Sequence, residues 1–422
     1  MAERRFDVLV VGAGPAGSVA ALVLARGGAR VALVDKARFP RDKACGDLVG
    51  PRGVRLLDDL GVALEGRTPV GDMVVVGPSG RTVRLPCLPG VDYPDHALAS
   101  PRTVLDATLR DAAVAAGAEP VIGRAAAPLG SDRTVEGFAL SDGDHVRADV
   151  VIGADGATSR VADAAGLVDP ARVLWGFALR AYVDAPVDQP HIVLWEPSPW
   201  RALPGYGWLF PGAERGANVG LGVGLLADRR GGAVVARCFD AFLGHLVGLG
   251  LLDPRPAPSG RLGGWLKLGM VGTTPARGRV LLVGDAAGLV NPLQGEGISQ
   301  AMLSGRAAAD AVLAGPGTAA GRYLDHLATR YAPYQAMTAA AHATLLPRRR
   351  TISAAGRLLT APGVGRAVAG GWSVFWNDLL DGARPGPARA LAAAVDRAGR
   401  VVTAPSRTRR RLARDLAPPA PR

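Results

Sequence analysis

The tightest constraint in this 422-residue chain lies between residues 6 and 35. The run 6-FDVLVV-11 reads as a buried strand, followed by Gly12, Gly14 and Gly17 in G-x-G-x-x-G spacing. Segment 15-PAGSVAALVLARGG-28 predicts a helix opened by Pro15 and Ala16, and residues 30–35 predict a second strand ending at Asp35, just before Lys36. Each part has a physical task. Gly12 permits the tight turn, Gly14 lets the backbone approach a pyrophosphate, and Gly17 lets helix and strand pack closely. The helix N-terminus offers unpaired N–H groups to phosphate. Asp35 stands where an acid accepts bonds from a ribose hydroxyl. The reading is a Rossmann-type nucleotide cradle.

Two later segments select the nucleotide. In 150-VVIGADGATSRV-161 an apolar strand runs into Asp155 and Gly156. In residues 279–315 another apolar strand ends at Gly284 and Asp285, followed by a loop with Asn291, Pro292, Gly295 and Gly297 and a long helix from about Ile298. An acid directly after a buried strand costs free energy unless it is paired. Asp285 is placed to pair with ribityl hydroxyls, and the helix N-terminus to face the flavin N1/O2 edge. The three segments together indicate FAD rather than NAD.

Composition excludes several classes. The chain is 48% hydrophobic and 20% charged, which allows a large core and argues against wholesale disorder. Cys45, Cys87 and Cys238 are odd in number and far apart, so neither a disulfide framework nor a metal site is expected, and a cytoplasmic setting fits. The six histidines are scattered and none is assigned a role. The start MAERRF with its apolar run imitates a twin-arginine signal, but the glycine spacing explains that run better, and no transmembrane helix is expected. The net charge is +12, and the tail 401–422 carries six arginines against one aspartate. A solvated basic tail is the plain reading, and attraction to an anionic membrane surface the sharper one. No nucleic-acid recognition motif accompanies the charge.

The chain is only 5% aromatic, yet 205-GYGWLF-210 puts Tyr206, Trp208 and Phe210 at alternate positions between glycines. In a strand these share one face. The turn near 212–216 and the glycine-rich 217-ANVGLGVG-224 predict an antiparallel hairpin. The three rings then form an apolar wall, and Gly205 and Gly207 let another layer approach its back. Ordinary core packing is the competing reading. The Pro- and Gly-rich stretch 39-FPRDKACGDLVGPRG-53 predicts a loop suited to crossing a flavin face.

Residues 1–165 and 276–315 resemble the p-hydroxybenzoate-hydroxylase-like FAD proteins. Within that class, 39-FPRDKACGD-47, 204-PGYGWLFP-211 and 284-GDAAGLVNPLQGEGI-298 resemble the geranylgeranyl reductase family, which includes menaquinone reductases. The resemblance implies a noncovalent FAD, an external reductant (NADPH or a redox protein), and delivery of hydrogen to isoprenoid carbon–carbon double bonds. It implies a prenylated lipid or isoprenoid diphosphate as substrate. It also implies that Cys45 and Gly46 lie at the flavin, and that Arg102 in 101-PRTVLDATL-109 contacts the cofactor with Asp106 anchoring its helix. Cys45 is the first candidate for the proton donor and Tyr206 the second, with a small buried hydrophobe the plain reading of Cys45. The rival is an FAD monooxygenase or halogenase of natural-product tailoring. Halogenase-like relatives carry W-x-W-x-I-P, from which 206-YGWLFP-211 departs. A protein that only binds a prenyl lipid is a third reading. No second glycine cradle is evident for NADPH.

The expected fold class is α/β, with the FAD-binding domain (1–80, 99–165, 276–315) interleaved with an antiparallel-sheet substrate domain (81–98, 166–275). A C-terminal helical region follows over 316–402, and a basic flexible tail over 403–422. Segment 371-GWSVFWNDLL-380 is expected to cap the cavity, to touch a membrane or simply to pack. The expected location is cytoplasmic, with peripheral contact at the inner face of the membrane as the finer possibility.

Overall fold

The computed structural model describes residues 3–131, 134–195, 205–212, 216–226, 232–253, 257–344 and 349–403. The tail expected over 403–422 lies, from residue 404 on, outside the described residues. The first sheet is built around β1 (Glu3–Val11), which pairs in parallel with β2 (Val31–Asp35) on one side and β11 (His145–Gly153) on the other. β8 (Glu119–Ile122) extends it beyond β2, and β18 (Val280–Leu282) and β17 (Ala276–Arg277) beyond β11. β10 (Thr134–Leu140) attaches antiparallel to β11, and β9 (Ala125–Ser131) antiparallel to β10. The central strands are buried on both faces, which explains their unbroken Val/Leu/Ile runs. Helices α1 (Pro15–Arg26), α3 (Arg102–Ala115) and α6 (Ile298–Leu313) cover this sheet, and the short α4 (Arg160–Ala164) follows β11.

The second sheet runs β16 (Ser259–Leu268), β12 (Leu174–Val183), β15 (Ala217–Leu226), β14 (Gly205–Phe210), β13 (His191–Val193), β5 (Met73–Val76) and β6 (Thr82–Leu85). All its pairs are antiparallel except β13 with β5. This placement corrects one expected boundary. Residues 73–76 belong to the second sheet, not to the first unit, because Val74, Val75 and Val76 pair with His191, Ile192 and Val193 more than a hundred residues later. A small sheet of β3 (Leu48–Val49), β7 (Ala97–Ala99) and β4 (Thr68–Val70), with α2 (Pro51–Asp59), brackets β5 and β6 in sequence.

The aromatic hairpin forms as its alternation predicts. Tyr206 pairs with Gly222 and Trp208 with Gly220. The bare glycines are filled by rings: a Cβ at Gly220 would lie 2.2 Å from the Trp208 ring. On the other face, α5 (Gly232–Gly248) presses Phe242 onto Gly207, where a Cβ would lie 2.2 Å from the ring. The rings are thereby held between a helix-backed sheet and a cavity. Beyond α6 the described residues are mostly helical, through α7 (Ala319–Arg330), α8 (Ala332–Thr344), α9 (Arg349–Leu359), α10 (Arg366–Trp376) and α11 (Pro387–Thr403).

Gly207→Ala forces a methyl into Phe242 and is expected to cost about 1–3 kcal/mol by overpacking. Gly248→Ala, with nothing within 4 Å of the new methyl, is expected to stay within about 0.5 kcal/mol of the parent. Denaturant unfolding of the two variants measures the difference.

Candidate active site

The cradle is set by backbone contact. Gly12 has φ of 104°, and a Cβ there would lie 2.4 Å from the Ala154 carbonyl oxygen. A Cβ at Gly17 would lie 1.8 Å from the Gly12 carbonyl oxygen. Gly14 differs: it precedes α1, and its Cβ position meets only the Arg41 guanidinium at 3.4 Å. That open approach to a helix N-terminus is what a pyrophosphate requires. Asp35 organises the turn, its carboxylate accepting from the Ala13 N–H at 2.7 Å and the Ala37 N–H at 2.8 Å. A carboxylate accepts about four bonds, so capacity for a ribose remains. Lys36 beside it is exposed.

Asp155 is engaged differently from its sequence expectation. Its carboxylate accepts from Ser159 Oγ and from the backbone N–H groups of Arg160 and Val161, and so holds the start of α4. Its contribution to the cradle is backbone position beside Gly12, with Gly156 turning the chain at φ of 84°. Arg102 is also more deeply committed than expected. It is buried, paired twice at 2.7 Å with Asp106, and its side chain reaches the Cys45 thiol. Arg41 completes the cluster at 2.8 Å from Asp106. Burial pushes the Cys45 thiol up from its ordinary range, while the Arg102 charge pulls against that shift.

A cavity of about 390 Å³ opens from this point. One end is formed by Pro15, Cys45, Gly46, Arg102 and Asp285 and by the approach to α6, where Pro292, Gly295, Glu296, Gly297 and Ile298 lie. Gly284 stands behind, packed against Ala16 and Ala301. Lys43 Nζ lies 3.4 Å from the Asp285 carboxylate. Most of the remaining wall is apolar, with Gln294, His342, Ser373 and Asn377 as its polar members. Tyr206, Trp208 and Phe210 line it, with Leu359 of α9 and Trp372 of α10 among the residues opposite the sheet. The cysteine loop lies directly on the rings: a Cβ at Gly46 would meet Phe210 at 2.9 Å. The open cradle at Gly14, the carboxylates of Asp35 and Asp285, and the α6 N-terminus facing the cavity fit FAD.

Several site residues escaped sequence reasoning. Asn218, fully buried on β15, bonds the Trp208 indole and the cysteine loop. Its signal was a lone amide in an otherwise apolar, glycine-rich strand. Lys267 is buried under the turn after β18, donating to the Ala286 carbonyl at 2.8 Å; burial lowers it to about 8. His342 lines the cavity, with Nδ1 2.8 Å from the Pro292 carbonyl. A carbonyl only accepts, so Nδ1 carries the proton. Burial lowers His342 to about 4, against an ordinary value of 6.5.

The His342 shift has a defined consequence for stability. Between pH 6.5 and 4 the unfolded chain binds this proton and the fold does not. The contribution is therefore complete above about pH 6.5 and is lost as pH falls towards 4, on the order of 3 kcal/mol. His342→Phe is expected to flatten that part of the stability–pH curve, measured by unfolding of both proteins across the range.

Comparisons with known proteins agree with this geometry. A family model described as an FAD binding domain matches residues 5–178. The chain is 37% identical over 326 residues to the menaquinone reductase of Mycolicibacterium smegmatis, covering 74% of this chain and 77% of that protein. It is 34% identical over 320 residues to a digeranylgeranylglycerophospholipid reductase of Methanopyrus kandleri, covering 72% and 76%. The fold superposes on a geranylgeranyl bacteriochlorophyll reductase-like protein of Thermoplasma acidophilum with a TM-score of 0.71, at 22% identity and 93% and 99% coverage. Cradle, cavity and sequence together lead to one assignment: the chain belongs to the geranylgeranyl reductase family of FAD-dependent oxidoreductases.

Proposed function

We propose that this protein saturates carbon–carbon double bonds of an isoprenoid chain carried by a prenylated lipid, a quinone tail or an isoprenoid diphosphate. The observation that carries the reading is the single cavity joining the flavin end at Cys45, Asp285 and Gly297 to a slot lined by Tyr206, Trp208 and Phe210. A polyprenyl chain offers no hydrogen-bonding group along its length, so only area and shape hold it, at about 25 cal/mol per Å² buried. The relatives named above as menaquinone and lipid reductases act on molecules of that kind.

FAD, held by the glycine cradle, Asp285 and the α6 N-terminus and reduced by an external donor (NADPH or a redox protein), would supply the hydride for one alkene carbon. The chain's own residues then hold the alkene, keep water away and deliver a proton to the other carbon. Cys45 suits the last task. Its thiol lines the cavity and burial keeps it protonated. The Tyr206 hydroxyl is already donated to the Gln294 carbonyl, which makes it the weaker donor and a wall residue first.

The substrate reaches the slot from a membrane. Helices α9 and α10 line the cavity with Leu359 and Trp372, and the same helices carry Leu358, 74% exposed, and the exposed Arg350, Arg357 and Arg366. That basic, apolar edge suits peripheral contact with an anionic inner membrane face, worth about 1 kcal/mol per cation near the surface. Among the described residues, no helix is long and apolar enough to cross a membrane.

Anaerobic mixing of the reduced enzyme with a polyprenyl substrate is expected to reoxidise the flavin in one turnover and add two hydrogens to the product. Gain of one oxygen under air would favour the monooxygenase instead, and unchanged flavin absorbance with every prenyl lipid tried would defeat the reading. Cys45→Ala is expected to slow the turnover by about 10²–10⁴-fold, whereas Tyr206→Phe is expected to keep it within about tenfold of the parent.

A further inference from the structure

The loop carrying Cys45 begins and ends on the first sheet's unit, between β2 and α2, yet its middle is bonded to the second sheet. Asp42 receives Arg180 of β12. Asp47, buried and held at φ of 60°, receives the Tyr182 hydroxyl of β12 at 2.5 Å. Asn218 of β15 does most. Its Nδ2 donates to the Cys45 carbonyl at 2.8 Å and to the Asp47 carboxylate at 2.9 Å. Its Oδ1 accepts from the Trp208 indole at 2.9 Å. Tyr182 and Asn218 are cross-strand neighbours, so both contacts on Asp47 come from one patch of sheet.

This one carboxamide spends both of its N–H groups and its carbonyl on two functional parts. One part is the cysteine loop, at the Cys45 carbonyl and the Asp47 carboxylate, and the other is the ring at the centre of the wall. A buried amide that loses such partners leaves unsatisfied groups behind, costing about 1–3 kcal/mol each. The loop therefore cannot shift on the wall without breaking these bonds or carrying Asn218 and Trp208 with it. Gly46 adds a steric counterpart, resting on Phe210 where any side chain would collide.

We propose that Asn218 is a positioning residue that registers the Cys45 loop against the Trp208 wall, so that the two sides of the reaction site move as one. It touches neither substrate nor flavin in this role. The proposal rests on the reductase reading only for its kinetic arm; the thiol arm below stands without it.

The test uses the FAD-loaded protein in a background where Cys87 and Cys238 are serine. Alkylation of Cys45 by iodoacetamide, followed by mass spectrometry, reports whether the loop is held. Asn218→Ala is expected to label at least about tenfold faster than the parent, through local opening. Trp208→Phe keeps a ring but removes the indole N–H, and is expected to loosen the loop in the same direction by a smaller factor. The double variant is expected to fall well short of the product of the two effects, as coupled sites do. In single turnover, Asn218→Ala is expected to lose about tenfold or more in rate at saturating prenyl substrate, with the chain's Kd within about threefold, below half a decade. A merely structural Asn218 would lower thermal stability without that split. Labelling and turnover within about twofold of the parent, or effects of the two variants that simply multiply, overturn the proposal. If Asn218→Ala fails to fold, Trp208→Phe alone decides: labelling unchanged from the parent overturns it.

Discussion

Backbone touching backbone at three glycines holds this protein's site together. Gly12 meets Ala154, Gly17 meets the carbonyl of Gly12, and Gly305 of α6 meets the carbonyl of Ala16, where a Cβ would lie 2.1 Å away. These contacts join segments from residues 12, 154 and 305, so the cradle forms only when all are in place. A methyl at any of them opens the packing on which Asp35, Asp285 and the α6 N-terminus depend for their positions.

The second sheet divides its labour between two faces. One is packed against α5 and forms a core with Phe239, Phe242 and Leu246 at its centre. The other bears the ring wall and, at its edge, a small set of buried polar groups: Arg180, Tyr182 and Asn218. Buried polar groups are costly unless paired. Here they bond the loop from the first sheet's unit, which ties Cys45 to the ring wall. The same economy appears at Arg102, whose charge is committed to Asp106 while its side chain still reaches Cys45.

Much of this was legible from local pattern. The cradle and the aromatic hairpin follow from period and glycine placement, which act within a few residues. What was not legible depends on distant pairing. Met73–Val76 is an apolar tetrad that suits either sheet, and only His191–Val193 decides between them. Asp155 reads as a cofactor residue, but its carboxylate is taken by the start of α4. Asn218 and His342 are single polar residues in apolar surroundings, and nothing local says which partners they find. The rings of Tyr206, Trp208 and Phe210 were readable because alternation fixes a shared face; that the face borders a cavity required the remaining elements.

The central claim is that an isoprenoid chain lies in the slot between the ring wall and helices α9 and α10, with one end at the flavin. Photolabelling the FAD-loaded protein with a diazirine-bearing polyprenyl lipid, followed by peptide mapping, tests it most directly. The account predicts adducts on Tyr206, Trp208 or Phe210 and on Leu359 or Trp372 opposite, suppressed by excess unlabelled chain. Adducts confined to the outer surface, with these peptides unmodified, would contradict it.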